Sequence, residues 1–247
     1  MNKELVIIPT YNEKENIENI IRAVFALETP FDILVVEDNS PDGTAAIVKR
    51  LIKEFHGRLH MMERKEKQGL GTAYIAGFKW ALQNHYEYIF EMDADFSHNP
   101  KDLERLSSTL QNNSTDVVVG SRYITGVNVV NWPMGRVLMS YYASAYVRMV
   151  TGMNIRDTTA GFVGWKRKVL DTIDLDKIKF VGYAFQIEMK YTALKLGFHI
   201  MEVPIIFTDR TLGESKMNKT IFREAVFGVI NLRKRGLMGK IKPKQPD

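Results

Sequence analysis

Short apolar runs recur through the first half of the chain, roughly 20 to 30 residues apart, and each stops at a polar cluster. The runs are residues 5–8, 31–36, 59–62, 88–90 and 116–120. Between them lie segments with helical spacing, such as Ile17, Ile20, Ile21, Val24 and Leu27, then Ile47, Val48, Leu51 and Ile52. A short, nearly unbroken apolar run reads as a strand buried on both faces. Alternation of such strands with amphipathic helices predicts an α/β fold, a mostly parallel twisted sheet with helices on both faces. Ligands of such sheets lie beyond the carboxyl ends of the strands. Residues 9–13, Asp38, and Asp93 with Asp95 all fall at such ends, so one edge of the sheet carries the candidate chemistry.

The fourth run continues as YIFEMDADFSH, residues 88–98. Strand alternation puts Asp93 and Asp95 on one side just past the strand's end. Side-by-side carboxylates repel unless a cation lies between them, and a hard divalent ion such as Mg²⁺ or Mn²⁺ takes oxygen ligands shared between carboxylates and a substrate phosphate. The other reading of the same residues is a solvated acidic turn before a helix capped by Asn99, with Pro100 at its first position. The residues alone leave both open.

The 247-residue chain is long enough for one large α/β domain. It has no cysteine, which excludes disulfides and thiolate chemistry. The N-terminal apolar run is broken by Pro9 too early for a signal peptide, and no window reaches the roughly 18 uncharged apolar residues of a spanning helix, the longest approach, 132–153, carrying Arg136 and Arg148, so a protein inside the cell is expected. Net charge is +5, and from residue 221 onward basic residues outnumber acids. Such an end suits an anionic partner or is a solvated tail.

Further along, RKEKQGLGTA (64–73) is a basic, glycine-containing loop that could approach a phosphate, without Walker spacing. Thr10 or Asn12 is the expected cap of the first helix. After Gly120 the repeat breaks. A helix over 133–152 is apolar around much of its girth, as expected of a core helix or of one lying in a lipid headgroup layer. A turn, strand and helix start over 157–170, a helix over 183–196, a strand over 200–203, a polar loop over 207–216 and an amphipathic helix over 220–234 complete one domain without linker or repeat.

The segments VIIPTYNEKENI (6–17), VVEDNSPDGT (35–44), GLGTAYIAGF (69–78), MDADFSHNP (92–100), VVGSRY (118–123), TTAGF (158–162), GYAFQIEM (182–189) and VPIIFTDRTLGESK (203–216), in this order, resemble the family 2 glycosyltransferases of GT-A fold. Within them the chain is most similar to the dolichyl-phosphate, or polyprenol monophosphate, mannose synthases. PTYNE and D-x-D specify only sugar-nucleotide transfer; EDNSPDGT, DADFSH and DRTLGESK narrow the resemblance to transfer onto a polyprenyl phosphate.

The resemblance implies a GT-A type, Rossmann-like sheet with C-terminal amphipathic helices and no transmembrane helix. It implies that Pro9, Tyr11, Glu13, Val36 and Asp38, with Asp93 and Ala94, hold the nucleotide. Asp93 and Asp95 would bind Mg²⁺ or Mn²⁺, with Ser97 at a third metal-side position that is often Gln in relatives. Arg122, Arg136, Ser140, Arg210 and Lys216 would surround the lipid phosphate and the transferred sugar, making Asp95, Arg122 and Arg136 the residues closest to catalysis. A nucleotide half (about 1–120), an acceptor half (about 121–220) and a basic C-terminal helix and tail follow. The implied reaction is inverting transfer of mannose from GDP-mannose to a polyprenyl phosphate on the cytoplasmic face of a membrane. The 133–152 helix and the basic C-terminal helix are the candidate membrane contacts, and a small membrane-anchoring protein is a candidate partner. Glu188 and His98 are read as structural, through a salt bridge and a turn hydrogen bond.

The same fold could instead move glucose or another sugar from a UDP-sugar to undecaprenyl phosphate or to a non-lipid acceptor. A dinucleotide-binding module is disfavoured because PTYNE, and not G-x-G-x-x-G, follows the first strand. Nucleic-acid binding is disfavoured because basic residues are interleaved with acids and no binding motif is present.

Overall fold

A computed structural model describes residues 3–112, 114–182, 184–209 and 219–245, with side chains omitted over 219–226. The five predicted strands are β1 (Glu4–Thr10), β2 (Asp32–Glu37), β3 (Leu59–Glu63), β4 (Tyr88–Glu91) and β5 (Val117–Ser121). Between them lie α1 (Ile17–Phe25), α2 (Thr44–Glu54), α3 (Leu70–Gln83) and α4 (Asp102–Gln111). The second half adds β6 (Val129–Val130), α5 (Met134–Thr151), β7 (Val163–Lys166), α6 (Arg167–Thr172), α7 (Ala184–Lys195), β8 (Ile200–Pro204), β9 (Phe207–Thr208) and α8 (Lys219–Leu237).

The main sheet runs β3-β2-β1-β4-β7-β5-β8, and β6 pairs separately with β9. All neighbours in the main sheet are parallel except at β7, which is antiparallel to both β4 and β5. Strand alternation explains the continuous apolar runs, because successive residues serve opposite faces. Leu5 and Ile7 pack with Tyr74, Phe78, Trp165 and Phe185 on one side. Val6 and Ile8 pack with Ile20, Ile21, Val48 and Leu106 on the other. A third cluster, including Val147, Tyr191, Val229 and Leu232, joins α5, α7 and α8. Gly164 is required where β7 crosses the sheet, since a Cβ there would lie 2.7 Å from the Phe90 ring and 2.8 Å from Val118.

Several local expectations change. Thr10 ends β1 and Asn12 adopts a left-handed φ of 56°, so neither caps α1, which starts at Ile17 after Asn16. The loop is held instead by residues of the neighbouring loop, as described below. Asn99 and Pro100 form a turn in which the Asn99 side chain accepts from Lys101 N at 3.1 Å, and α4 begins at Asp102. The predicted polar loop over 207–216 opens with a strand, β9, and its remainder from 210 lies outside the described residues, as does Tyr183. Helix α5 is no core helix: it buries only Ser144, Val147 and Thr151.

Candidate active site

The loops after β1 and β2 are cross-linked into one unit. Asn12 N donates to Ser40 Oγ at 3.0 Å, Glu13 N to Thr44 Oγ1 at 3.1 Å and Lys14 N to Asp42 Oδ2 at 3.0 Å. Glu37 turns its carboxylate onto the Asn39 and Ser40 amides at 2.8 and 2.7 Å. Much of PTYNE and EDNSPDGT is therefore loop architecture, with Asn39 as well as Asn12 in the left-handed region (φ 56°). Pro9 faces Val36 across the parallel ladder, and Val36 buries its side chain completely, leaving its backbone at the edge.

Asp38 is buried beside Arg64, which grips both carboxylate oxygens at 2.6 and 2.7 Å and donates to Thr72 at 2.8 Å. Lys67 stands 4.5 Å over the Tyr11 ring, so the basic loop before α3 closes against the first loop. Its glycines serve packing: Gly71 N donates to Val181 O at 2.8 Å, and a Cβ on Gly71 would meet Phe180 O at 2.8 Å. Arg64 and Lys67 belong to the basic loop expected to approach a phosphate, and only the fold brings them to Asp38 and Tyr11.

After β4 the chain turns sharply. Phe96, between Asp95 and Ser97, has φ 58°, an uncommon conformation for an aromatic residue outside functional turns. Asp95 is almost buried and accepts from Ser97 N at 3.1 Å. His98 lies beneath, stacked on Phe162 with centroids 4.8 Å apart, its Nδ1 3.5 Å from the Asp93 amide that donates to it. Burial lowers the His98 pKa to about 4, so the neutral ring is available as an acceptor. A divalent ion fits this loop on its own chemistry. Asp93 and Asp95 stand two residues apart in the chain, and Ser97 after them has a buried Oγ without a hydrogen-bond partner. Among the described residues no group of three or more His, Asp or Glu stands where it could hold a metal ion.

Arg122 follows β5. Its Nε and Nη2 each meet a different oxygen of Asp157 at 2.6 Å, and Nη2 also reaches Thr159 Oγ1 at 2.9 Å. Asp157 is held in turn by Glu202 of β8, which accepts from the Arg156 and Asp157 amides at 2.7 and 2.9 Å. Burial raises the Asp157 pKa, but the Arg122 charge and hydrogen bonds outweigh it and hold it below the ordinary aspartate value. Arg136, in the first turns of α5, is half-buried and donates to Asp209 at 2.8 Å. Ser140 accepts from the Tyr123 hydroxyl at 2.7 Å. Arg210 and Lys216 lie outside the described residues.

The short β6/β9 ribbon connects the two groups of residues. Thr208 N donates to Ser97 O at 3.2 Å and Asp209 N to Val130 O at 3.0 Å. The aspartate loop and Arg136 thus hang from adjacent residues, Thr208 at the end of β9 and Asp209 just after it. Beneath them a buried polar layer holds the floor: Glu91 accepts from Trp165 Nε1 at 2.6 Å and from Gln186, and Lys190 donates to Ala160 O at 2.6 Å. Burial raises Glu91 to about 7 and lowers Lys190 to about 8. Glu188 accepts from the Lys179 and Phe180 amides and from Arg235 of α8 at 2.5 Å, a structural role away from solvent.

Residues 5–174 match the model of glycosyl transferase family 2. The chain is a family 2 glycosyltransferase. A curated relative, polyprenol monophosphomannose synthase of Mycolicibacterium smegmatis, is 44% identical over 240 residues, covering 97% of this chain and 90% of the relative. Undecaprenyl-phosphate mannosyltransferase of Micrococcus luteus is 42% identical over 236 residues, covering 96% of this chain and 95% of the relative. A solved structure similar to this glycosyltransferase is glucosyl-3-phosphoglycerate synthase of Mycobacterium tuberculosis, crystallised with Mn²⁺, UDP-glucose and phosphoglyceric acid. It superposes with a TM-score of 0.68 at 17% identity, covering 94% of this chain and 79% of that one, which establishes the GT-A fold.

Among the described residues of this glycosyltransferase no helix is long and apolar enough to cross a membrane. Helix α5 nevertheless exposes Met134, Leu138, Tyr142 and Met149 along one stripe, with Met149 77% and Met134 71% accessible. Phe227, Ile230 and Leu237 do the same on α8, which packs beside it. Two of the basic residues of α8 turn inward, Arg233 onto Thr151 O at 2.8 Å and Arg235 onto Glu188, so the C-terminal charge is not all solvated.

Proposed function

We propose that the enzyme transfers mannose from GDP-mannose to a polyprenyl phosphate, with Mg²⁺ or Mn²⁺ at Asp93 and Asp95 and inversion at the anomeric carbon. One observation carries this reading: Ser97 and Arg136 are both anchored on the adjacent residues Thr208 and Asp209. A carboxylate pair suited to a nucleoside diphosphate and a cation cluster suited to a second phosphate therefore share one wall. The names of the two curated relatives support the acceptor and the sugar.

In this reading residues 1–120 hold the donor, with Pro9, Tyr11, Glu13, Val36, Asp38 and Ala94 around the nucleoside. Residues 121–220 take the acceptor, with Arg122, Arg136, Ser140, Arg210 and Lys216 around its phosphate and the sugar. A divalent ion at the aspartates supplies charge stabilisation for a departing diphosphate. An acceptor phosphate monoester has a second pKa of roughly 6, so its oxygen is anionic near neutral pH and needs no side-chain base. The protein's task is orientation. Arg122 is fixed by Asp157 and presents a rigid edge, while Arg136 is accessible enough to exchange Asp209 for a phosphate. His98 and Phe162 hold the floor under the aspartate loop.

A long lipid acceptor stays in the bilayer, so the enzyme meets it at a membrane surface. The apolar stripes of α5 and α8, flanked by the basic tail, are the proposed contact on the cytoplasmic face, each basic residue near anionic lipid adding about 1 kcal/mol. A small membrane protein could share in recruitment. Radiolabelled GDP-mannose, GDP-glucose, UDP-glucose and UDP-galactose, each with dolichyl or undecaprenyl phosphate in detergent, with and without EDTA, tests the proposal. Expected is EDTA-sensitive labelling of lipid from GDP-mannose; preferential turnover of a UDP-sugar would overturn the donor assignment.

A further inference from the structure

Arg122 and Arg136 come from different elements, and two guanidinium groups left to themselves move apart. Trp132 stands near both, with Arg122 also over the rings of Tyr123 and Phe207 at 5.2 and 5.5 Å. The Arg136 guanidinium carbon sits 4.1 Å from the centroid of the Trp132 ring, and that of Arg122 lies 5.7 Å away. Phe207 meets the same indole edge-on, with centroids 5.2 Å apart and planes at 68°. Phe207 in turn meets His98 at 5.3 Å and 80°. Aromatic rings thus run from beneath the aspartate loop to the arginines.

The chain is constrained on both sides of this residue. Asn131 before it adopts a left-handed φ of 63°, and Pro133 after it leads into α5. Its Nε1 is buried and has no hydrogen-bond partner, so the ring is not held in place by that donor. What the ring offers is its π face. A cation over an aromatic face is attracted by the ring quadrupole, more strongly where solvent is scarce. An arginine otherwise has a large rotamer freedom to lose on binding.

We propose that Trp132 is a positioning residue, a plate that sets the direction of the Arg136 guanidinium beside the Asp157-held Arg122 for the acceptor phosphate. This rests on the reading above that these arginines receive that phosphate. In this role the indole acts through Arg136. Its removal therefore raises KM for the lipid phosphate and leaves KM for the donor unchanged.

The test measures both KM values and kcat for Trp132→Leu, Trp132→Met, Trp132→Phe and Arg136→Ala, using undecaprenyl phosphate in detergent and the donor that turns over in the panel above. Trp132→Leu and Trp132→Met remove the π face, and the pair is used so that a folding failure of one leaves the other to decide. Each is expected to raise acceptor KM about tenfold, equivalent to ~1.4 kcal/mol, with donor KM within about twofold. Trp132→Phe keeps a face and is expected to restore acceptor KM to within about threefold of wild type. An unchanged acceptor KM in both apolar variants, beside a raised one in Arg136→Ala, overturns the positioning role alone. Equal rises in both donor and acceptor KM also overturn it. An Arg136→Ala enzyme with ordinary acceptor KM overturns the underlying assignment of the arginines.

Discussion

The guanidinium of Arg122 and the carboxylate of Asp157 form a closed fork, both bonds 2.6 Å long, with Asp157 wholly excluded from solvent. Such a pair cannot lose one member cheaply, because the survivor is a buried and uncompensated charge. Asp157→Asn is expected to lower unfolding free energy by about 3 kcal/mol in urea denaturation. Where the variant remains folded, acceptor KM rises while donor binding persists. Stability equal to wild type would mean that Arg122 finds another anion.

Asp95→Asn is expected to abolish transfer and leave the fold intact. The substituted amide keeps an oxygen for the Ser97 amide, so the turn survives, while the charge needed for a divalent ion is halved. Isothermal titration with GDP-mannose and Mn²⁺ should show binding weakened by an order of magnitude or more, against unaltered thermal unfolding. Activity near that of wild type would remove the aspartates from the metal site.

Arg136→Ala tests the acceptor side. Its guanidinium is about one-third exposed and its partner Asp209 lies in a similarly accessible place, so global stability should change by less than about 0.5 kcal/mol. A charged hydrogen bond to phosphate is worth about 1.5–3 kcal/mol, which predicts a roughly 10- to 100-fold rise in acceptor KM with donor affinity unchanged.

Lys190 predicts a pH dependence of stability. Burial lowers its folded pKa to about 8, against an ordinary value of 10.5. Below about 8 the native state carries the full cost of a buried ammonium; between 8 and 10.5 the unfolded chain holds the extra proton, so this group's contribution to stability rises with pH. In Lys190→Met that rise is absent. Thermal unfolding of both proteins from pH 7 to pH 10 should show the wild type gaining on the variant as pH climbs. Parallel curves would show that the ammonium is compensated by Asp157 and Glu91.

Vesicle flotation tests the membrane face. Burying a methionine removes apolar surface worth about 1.5–3 kcal/mol, so Met134→Ser combined with Met149→Ser should reduce binding to anionic vesicles by tenfold or more. Neutral vesicles should bind the wild type more weakly than anionic ones. Absence of wild-type binding to either vesicle, and to native membrane extract, would remove α5 and α8 from this role.

The strands of the first 120 residues were legible because buried strands write themselves as runs such as VVV and LVII, and the aspartate pair because it follows one; their order across the sheet was not. The reversed strand β7 was legible as a strand but not in its direction, since antiparallel insertion leaves no local mark in VGWK. The pairing of Arg64 is invisible in the basic loop that contains it because its partner, Asp38, lies 26 positions earlier. The ribbon of β9 with β6 was read as loop because each strand is only two residues long, below any periodicity. Thr10 and Asn12 misled as caps because their surroundings are set by the next loop, through Ser40, Asp42 and Thr44.

The reversal of β7 has a metric consequence. β4, which leads to the aspartates, and β5, which leads to Arg122, point the same way with one opposed strand between them. Two inter-strand steps separate their ends, about 9.5 Å. In that gap the chain entering β7 brings Phe162 as a floor, with Gly120 N bonded to Phe162 O at 2.8 Å. The sheet acts as a ruler: its own lattice spacing holds the strand end that leads to the aspartates and the one that leads to Arg122 a fixed distance apart.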